Sequence, residues 1–298
     1  MGKNSSIEWT HHTFNPWWGC VKVSPACQNC YAEAFANRLG KAVWGANAPR
    51  RFFRENHWLE PLKWNARAKT DGERKRVFCA SMADVFEARP DLDVERAKLW
   101  KLIEATPWLD WLLLTKRPEN VVPMVPWPEP WPRNVWIGTT VDNDEWADER
   151  LPHLARVPAV RRFLSCEPLL GPLDLRRWLR PEDPARYPID WVIVGGESGP
   201  KSRPMLPMWA EDLRDACVSA RVPFFFKQWG CWTPAVGPPT KKDEPILDAA
   251  TMRSFDMRRV SKLAGGRLLD GRTWDEVPTS FDPVPSELTA LSYERGRV

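Results

Sequence analysis

Three cysteines stand close together near the start of the chain, Cys20, Cys27 and Cys30, in the spacing C-x6-C-x2-C. The C-x2-C pair sets two thiolates in one loop, near enough to bind one metal or one cluster, and the upstream thiol adds a third point. Thiolate is the ligating form, and a bound cluster stabilises it. Two chemistries are open. Structural zinc takes four ligands, so zinc here needs His11 or His12 as the fourth. Three thiols with no fourth suit a [4Fe-4S] cluster with one iron left open, and an open iron can bind S-adenosylmethionine for radical chemistry.

The elements that must position this loop show as a rhythm downstream. Residues 77–82, 111–117, 135–143, 162–168, 191–198 and 223–230 are apolar runs that turn polar at their ends. Helical periodicity fills 31–39, with Tyr31, Phe35 and Leu39 at i, i+4 spacing, and again 93–105, 144–156 and about 207–220. Residues 41–76 are polar and basic with no clean period. With Ile7–Thr10 as the first strand, about seven βα units follow, as in a partial or nearly closed (β/α) TIM-like barrel of the α/β class. A doubly wound sheet is the alternative. It would carry a Gly-rich turn after its first strand, where this chain has cysteines.

In parallel α/β folds function gathers at the carboxyl ends of strands. Those ends carry Ser81 and Asp84; Thr115, Lys116 and Arg117; Thr139, Thr140, Asp142 and Asn143; Ser165, Cys166 and Glu167; Glu197 and Ser198; Lys227 and Gln228. The cysteine loop follows the first strand and joins the same rim. Residues 1–230 are expected to form the barrel and 231–298 an appendage that caps it. That appendage carries an Asp270-Gly271 hairpin signal, and its end after about Pro283 is expected to be loosely held.

Composition narrows the class. An odd number of cysteines, seven in 298 residues, argues against a disulfide framework and for a reducing, cytoplasmic setting. No apolar run approaches the ~20 residues that span a bilayer, and no signal segment opens the chain. A net charge of +4 permits an anionic partner without demanding one. Arg50, Arg51 and Arg54 with Phe52 and Phe53, and the later Arg258, Arg259, Lys262, Arg267 and Arg272, are the places to grip a nucleic acid or nucleotide.

Clustered thiols after the first strand of a βα series resemble the radical S-adenosylmethionine superfamily, whose usual spacing is C-x3-C-x2-C; here the first gap is six. More specific are I-E-W-T-x2-T-F-N-P-W-x-G-C at 7–20, C-x2-C-Y-A at 27–32, S-M-A-D-V-F at 81–86 and L-L-T-K-R-P at 113–118. They continue in W-I-G-T-T-V-D at 136–142, S-C-E-P-L-L-G at 165–171 and V-I-V-G-G-E-S-G at 192–199. Together these resemble the phage-associated three-cysteine-motif family, regarded as radical-SAM-like. The resemblance implies a barrel of the radical-SAM type, with Cys20, Cys27 and Cys30 holding the cluster. At the second-strand position Ser81, Met82 and Asp84 are the first candidates for cofactor contacts. Lys116 or Arg117 suits the cofactor's carboxylate or a substrate phosphate. Thr139, Thr140 and Asp142 are placed to reach a ribose, and Gly195 and Gly196 are further cofactor-binding candidates. Gly195-Gly196-Glu197 resembles the superfamily's Gly-Gly-Glu, but follows a late strand rather than the second, which leaves Glu197 as a rim acid. Cys166, beside Glu167, is the candidate hydrogen-atom donor to a substrate radical. A partner protein encoded nearby fits the competing reading, a zinc- or cluster-stabilised binding protein without catalysis.

Overall fold

A computed structural model of the chain describes residues 5–180 and 188–279. Seven parallel strands form one sheet in sequential order: β1 (His12–Thr13), β2 (Lys75–Cys79), β3 (Leu109–Thr115), β4 (Val135–Thr140), β5 (Arg161–Cys166), β6 (Trp191–Gly195) and β7 (Phe224–Gln228). Each strand pairs with its predecessor, so the order never reverses as it does in a doubly wound sheet. Instead the sheet curls into a half-barrel. One ring shows the curl: Trp9 lies 4.6 Å from Phe78 on β2, 6.3 Å from Phe163 on β5 and 6.1 Å from Trp191 on β6. In a flat sheet β2 and β5 would stand about 14 Å apart, three strand spacings.

Trp9 reaches that place because Ile7–Thr10 is a turn, not the expected first strand: Thr10 N–H donates to Ile7 O, and Thr10 Oγ1 to Arg76 O. The strand starts two residues later. Side chains then alternate along every strand. One set, with Phe78, Leu112, Trp136, Phe163, Trp191, Ile193 and Phe225, fills the concave interior around Trp9. The other, including Val77, Cys79, Leu113, Ile137, Leu164, Cys166, Val194 and Phe226, packs in the outer core.

That outer core is completed by helices. α1 (Tyr31–Arg38), α3 (Asp93–Glu104), α4 (Asp144–Leu154) and α5 (Pro207–Ala220) fall where periodicity put them, whereas α2 (Glu60–Asp71) lies in the stretch without a clean period. Its buried stripe is Pro61, Trp64 and Ala68, too sparse to stand out among charged neighbours. α1 buries Ala32 and Ala36, so Phe35 and Leu39 face outward, while the partly exposed Tyr31 donates its hydroxyl to Ser81 O at the end of β2.

After β7 the chain builds an antiparallel sheet, β8 (Trp232–Pro234), β9 (Asp243–Asp248) and β10 (Arg253–Arg259), with β10 central. The Asp270-Gly271 turn is present, both residues at positive φ, with Leu269 and Arg272 exchanging backbone hydrogen bonds. It returns Trp274 and Glu276 alongside β7, whose free edge they cover. The stretch after Pro283 lies outside the described residues. Among the described residues no helix is long and apolar enough to cross a membrane, and the seven cysteines are free thiols.

Candidate functional site

The cysteine loop leaves β1 through Asn15, a fully buried side chain that accepts from Met82 N–H at 2.7 Å and donates to Ser81 Oγ at 3.0 Å. Trp17–Trp18 then pairs with Arg51–Phe52 in a short antiparallel ladder. Gly19, at φ +117°, donates to Met82 O; a Cβ there would lie 2.3 Å from Val43 O, so the chain passes into Cys20 only as glycine. Cys20 therefore arrives at a fixed place above β2.

What it meets there is a relay from the sheet. Asp84 accepts from Phe86 N–H, Thr115 Oγ1, Lys116 N–H and Arg117 Nη1. Arg117 in turn donates to Val21 O at 2.9 Å and to Cys20 Sγ at 3.8 Å. Burial, with the charge of Asp84 second, pushes the Cys20 thiol up to about 12. Cys27 differs: burial alone would raise it, yet Lys116 and hydrogen bonds within residues 23–24 hold it below the usual thiol value.

The other end of the loop is clamped from β6. Glu197 is 6 % exposed and accepts from Asn29 Nδ2 and, through both oxygens, from Arg203. Arg203 also donates to Pro25 O and Gln28 Oε1, inside the cysteine loop. Burial alone would raise the Glu197 carboxyl, but the bonds from Arg203 and Asn29 keep it below the ordinary range. Its position is that of a clamp, not a free rim acid.

Between these anchors the strand ends present an inner set by the same alternation that fills the interior. Lys116 Nζ reaches Thr140 Oγ1 at 3.1 Å, and Lys227 Nζ holds both oxygens of Glu167 at 2.6 and 2.8 Å. Gly195 lies beside Glu167. Asp142 is fully buried and neither carboxylate oxygen has a hydrogen-bond partner; burial raises its pKa against the charges of Arg150 and Lys116. Arg150, buried as well, donates to Thr140 O and leaves Nη2 without a partner.

A family model covers residues 4–278. The chain belongs to that family, described as Protein of unknown function (DUF5131). No curated protein and no solved structure matches it.

In this member of the family several expected site residues serve elsewhere. Cys166, fully buried, alternates with the interior set and packs in the outer core with Cys217, so it faces away from any substrate at the mouth. Thr139 likewise points outward and donates to Thr115 O. Gly196 is required by a backbone crossing, since a Cβ would lie 2.0 Å from Trp229 O. Asp84 and Ser81 are held by protein partners. The histidines leave the cysteines too: His11 Nδ1 accepts from Arg76 N–H at the start of β2, and His12 stacks on Trp64 at 4.4 Å. As the chain stands, other residues engage both rings.

The basic grips change as well. Arg50 is buried against Glu87, Arg258 pairs with Asp243 and Arg267 with Asp275. Arg203, Asn15 and Asn29 carry no signal of these roles, because each acts from a loop through long-range contacts that leave no periodic trace. Among the described residues, no three His, Cys, Asp or Glu side chains stand grouped to hold a metal ion.

Proposed function

We propose that Cys20, Cys27 and Cys30 bind a [4Fe-4S] cluster with one open iron, and that the protein is a radical S-adenosylmethionine-like enzyme. The carrying observation is the placement of three thiols on one pinned loop at the carboxyl ends of a parallel half-barrel, with His11 and His12 engaged away from it. Among the described residues the three thiols are not drawn together as they stand, and Cys20 Sγ accepts from Arg117 at 3.8 Å. The donor set suits iron–sulfur chemistry, and Lys116, whose charge lowers the Cys27 thiol, offsets thiolate charge.

The residues around the loop suit the cofactor's polar groups. S-adenosylmethionine carries a carboxylate, an amino group and a ribose diol. Lys116, which donates to the Thr140 hydroxyl, supplies a cation for the carboxylate, and the Asp142 oxygens, without a hydrogen-bond partner among the described residues, accept from the amino group or the diol. A bound cluster and cofactor would supply one-electron reductive chemistry at the mouth of the half-barrel. Glu167 and Lys227 form a buried-side ion pair on the interior wall that orients a polar substrate without donating a hydrogen atom.

The test is anaerobic reconstitution with iron and sulfide, then dithionite and S-adenosylmethionine. The expected result is a brown protein that releases 5′-deoxyadenosine. A colourless protein with stoichiometric zinc overturns the reading, and a brown one that never cleaves the cofactor removes its radical half.

A further inference from the structure

The outward stripe of α1 is unusual for a helix packed on a barrel. Tyr31, Phe35 and Leu39 are 57, 40 and 50 % exposed, and Phe52 on the neighbouring ladder is 42 % exposed. These rings are not scattered. Trp18 lies 6.0 Å from both Phe35 and Phe53, and the Arg51 guanidinium sits 4.6 Å over Trp18 and 5.3 Å over Phe53. Arg38 lies 5.8 Å over Phe35. Aromatic and cationic groups thus alternate along one strip that begins at Tyr31, next to Cys30.

Charge marks this strip as well. Five other arginines are spent: Arg50, Arg74, Arg96, Arg117 and Arg258 each hold a carboxylate. On the strip the acids are the neutralised ones, Glu33 by Lys22 and Glu55 by Lys98. Exposed Arg38, Lys41, Arg51 and Arg54 have no carboxylate partner among the described residues. A polyanion gains from four unpaired cations, and exposed ring faces gain from flat bases that stack on them. A single strand, whose bases are not already stacked in a duplex, offers both together.

We propose that the strip from Tyr31 through Phe35 and Arg38 to Arg51, Phe52 and Arg54 binds single-stranded nucleic acid and leads it to the cysteine loop. This names the substrate class of the active site proposed above and rests on that reading for its chemistry, whereas the binding itself needs no cluster. Bases stack on Phe35 and Phe52, and phosphates follow the four cations.

The experiment is fluorescence anisotropy with end-labelled single-stranded DNA and RNA oligonucleotides, using the full chain as purified, across a salt series. The expected result is binding whose log–log salt slope falls near −2 to −3, about −0.7 for each phosphate neutralised. Phe52→Ser weakens it about 5- to 100-fold, as loss of one stacked base does, and Arg54→Glu flattens the slope by about 0.7. Phe35→Leu is the second aromatic variant, with melting temperatures recorded for all. A duplex of the same sequence binds at least tenfold more weakly. Absence of binding at low salt overturns the proposal. So does equal binding of duplex or heparin, or charge variants losing affinity while aromatic ones do not. Conversion of a dimer to a monomer by Phe35→Leu, without nucleic-acid binding, would make the strip a self-association face instead. Because a Cys20→Ala/Cys27→Ala/Cys30→Ala chain should still bind, failure here leaves the colour and the 5′-deoxyadenosine assay untouched, and the reverse also holds.

Discussion

Asp84→Asn tests how the sheet holds the cysteine loop. The residue is 5 % exposed and its carboxylate accepts from four donors, one of them the Arg117 guanidinium at 2.8 Å. Asparagine keeps the shape and one acceptor oxygen, enough for Thr115 Oγ1 and Phe86 N–H. Its amide NH2 then faces Lys116 N–H and Arg117 Nη1, donor against donor. Arg117, itself 8 % exposed, is left as an uncompensated buried charge. Breaking such a pair costs about 3–5 kcal/mol. At roughly 2–4 °C per kcal/mol for a domain of this size, the melting temperature should fall on the order of 10 °C. The loop should loosen with it, since Arg117 carries Val21 O and Cys20 Sγ. Thermal unfolding and mass-spectrometric alkylation read both effects: Cys20 should react faster, while Cys166 and Cys217 stay inert. A cycle with Arg117→Met separates coupling from simple damage, because removing both partners should cost less than the sum. Additivity within about 0.5 kcal/mol would refute the relay.

Three further outcomes follow from the geometry. His11 has its pKa lowered to about 4, by burial and then by Arg76 and Lys75; the unfolded chain binds the proton first, so stability is complete above about pH 6.5 and lost as pH falls toward 4. His11→Asn, which keeps an acceptor for Arg76 N–H, should flatten that limb in pH-dependent urea unfolding; an unchanged limb assigns it to other groups. Gly138→Ala puts a Cβ 2.4 Å from the Phe163 ring and should cost about 1–3 kcal/mol, partly restored by Phe163→Leu, as denaturant midpoints would show. Glu197→Gln should release the clamp on residues 25–29, raising protease cleavage within the loop about tenfold, the effect of losing ~1.4 kcal/mol of charged hydrogen bonding; unchanged cleavage assigns the hold to the Asn15 and Gly19 contacts.

The sheet was legible because each inner strand is buried on both faces and writes itself as a continuous apolar run, as Trp191–Gly195 does. Helix starts were legible where capping is local: Asn143 accepts from Trp146 N–H at the head of α4. What alternation decides was within reach but not drawn. Counting from Phe163 puts Ser165 and Glu167 inside and Cys166 in the outer core, away from the interior wall. Long-range pairing was not legible. Nothing around Arg50 marks it for Glu87 rather than for a phosphate, and nothing around Glu197 points to Arg203 or Asn29. The α1 stripe misled in the other direction, since apolar i, i+4 spacing signals a helix face without saying which face is buried.

The central claim is that three thiols on one loop, and no other cysteine, hold a cluster with an open iron. Electron paramagnetic resonance of the reconstituted, dithionite-reduced protein tests it most directly. The account predicts a reduced [4Fe-4S] signal whose shape changes when S-adenosylmethionine is added. That signal should vanish in Cys20→Ala, Cys27→Ala and Cys30→Ala and persist in Cys166→Ala and in Cys231→Ser, whose wild-type thiol accepts from Gly199 N–H. A signal that survives loss of any of the first three, or one indifferent to S-adenosylmethionine, would contradict it.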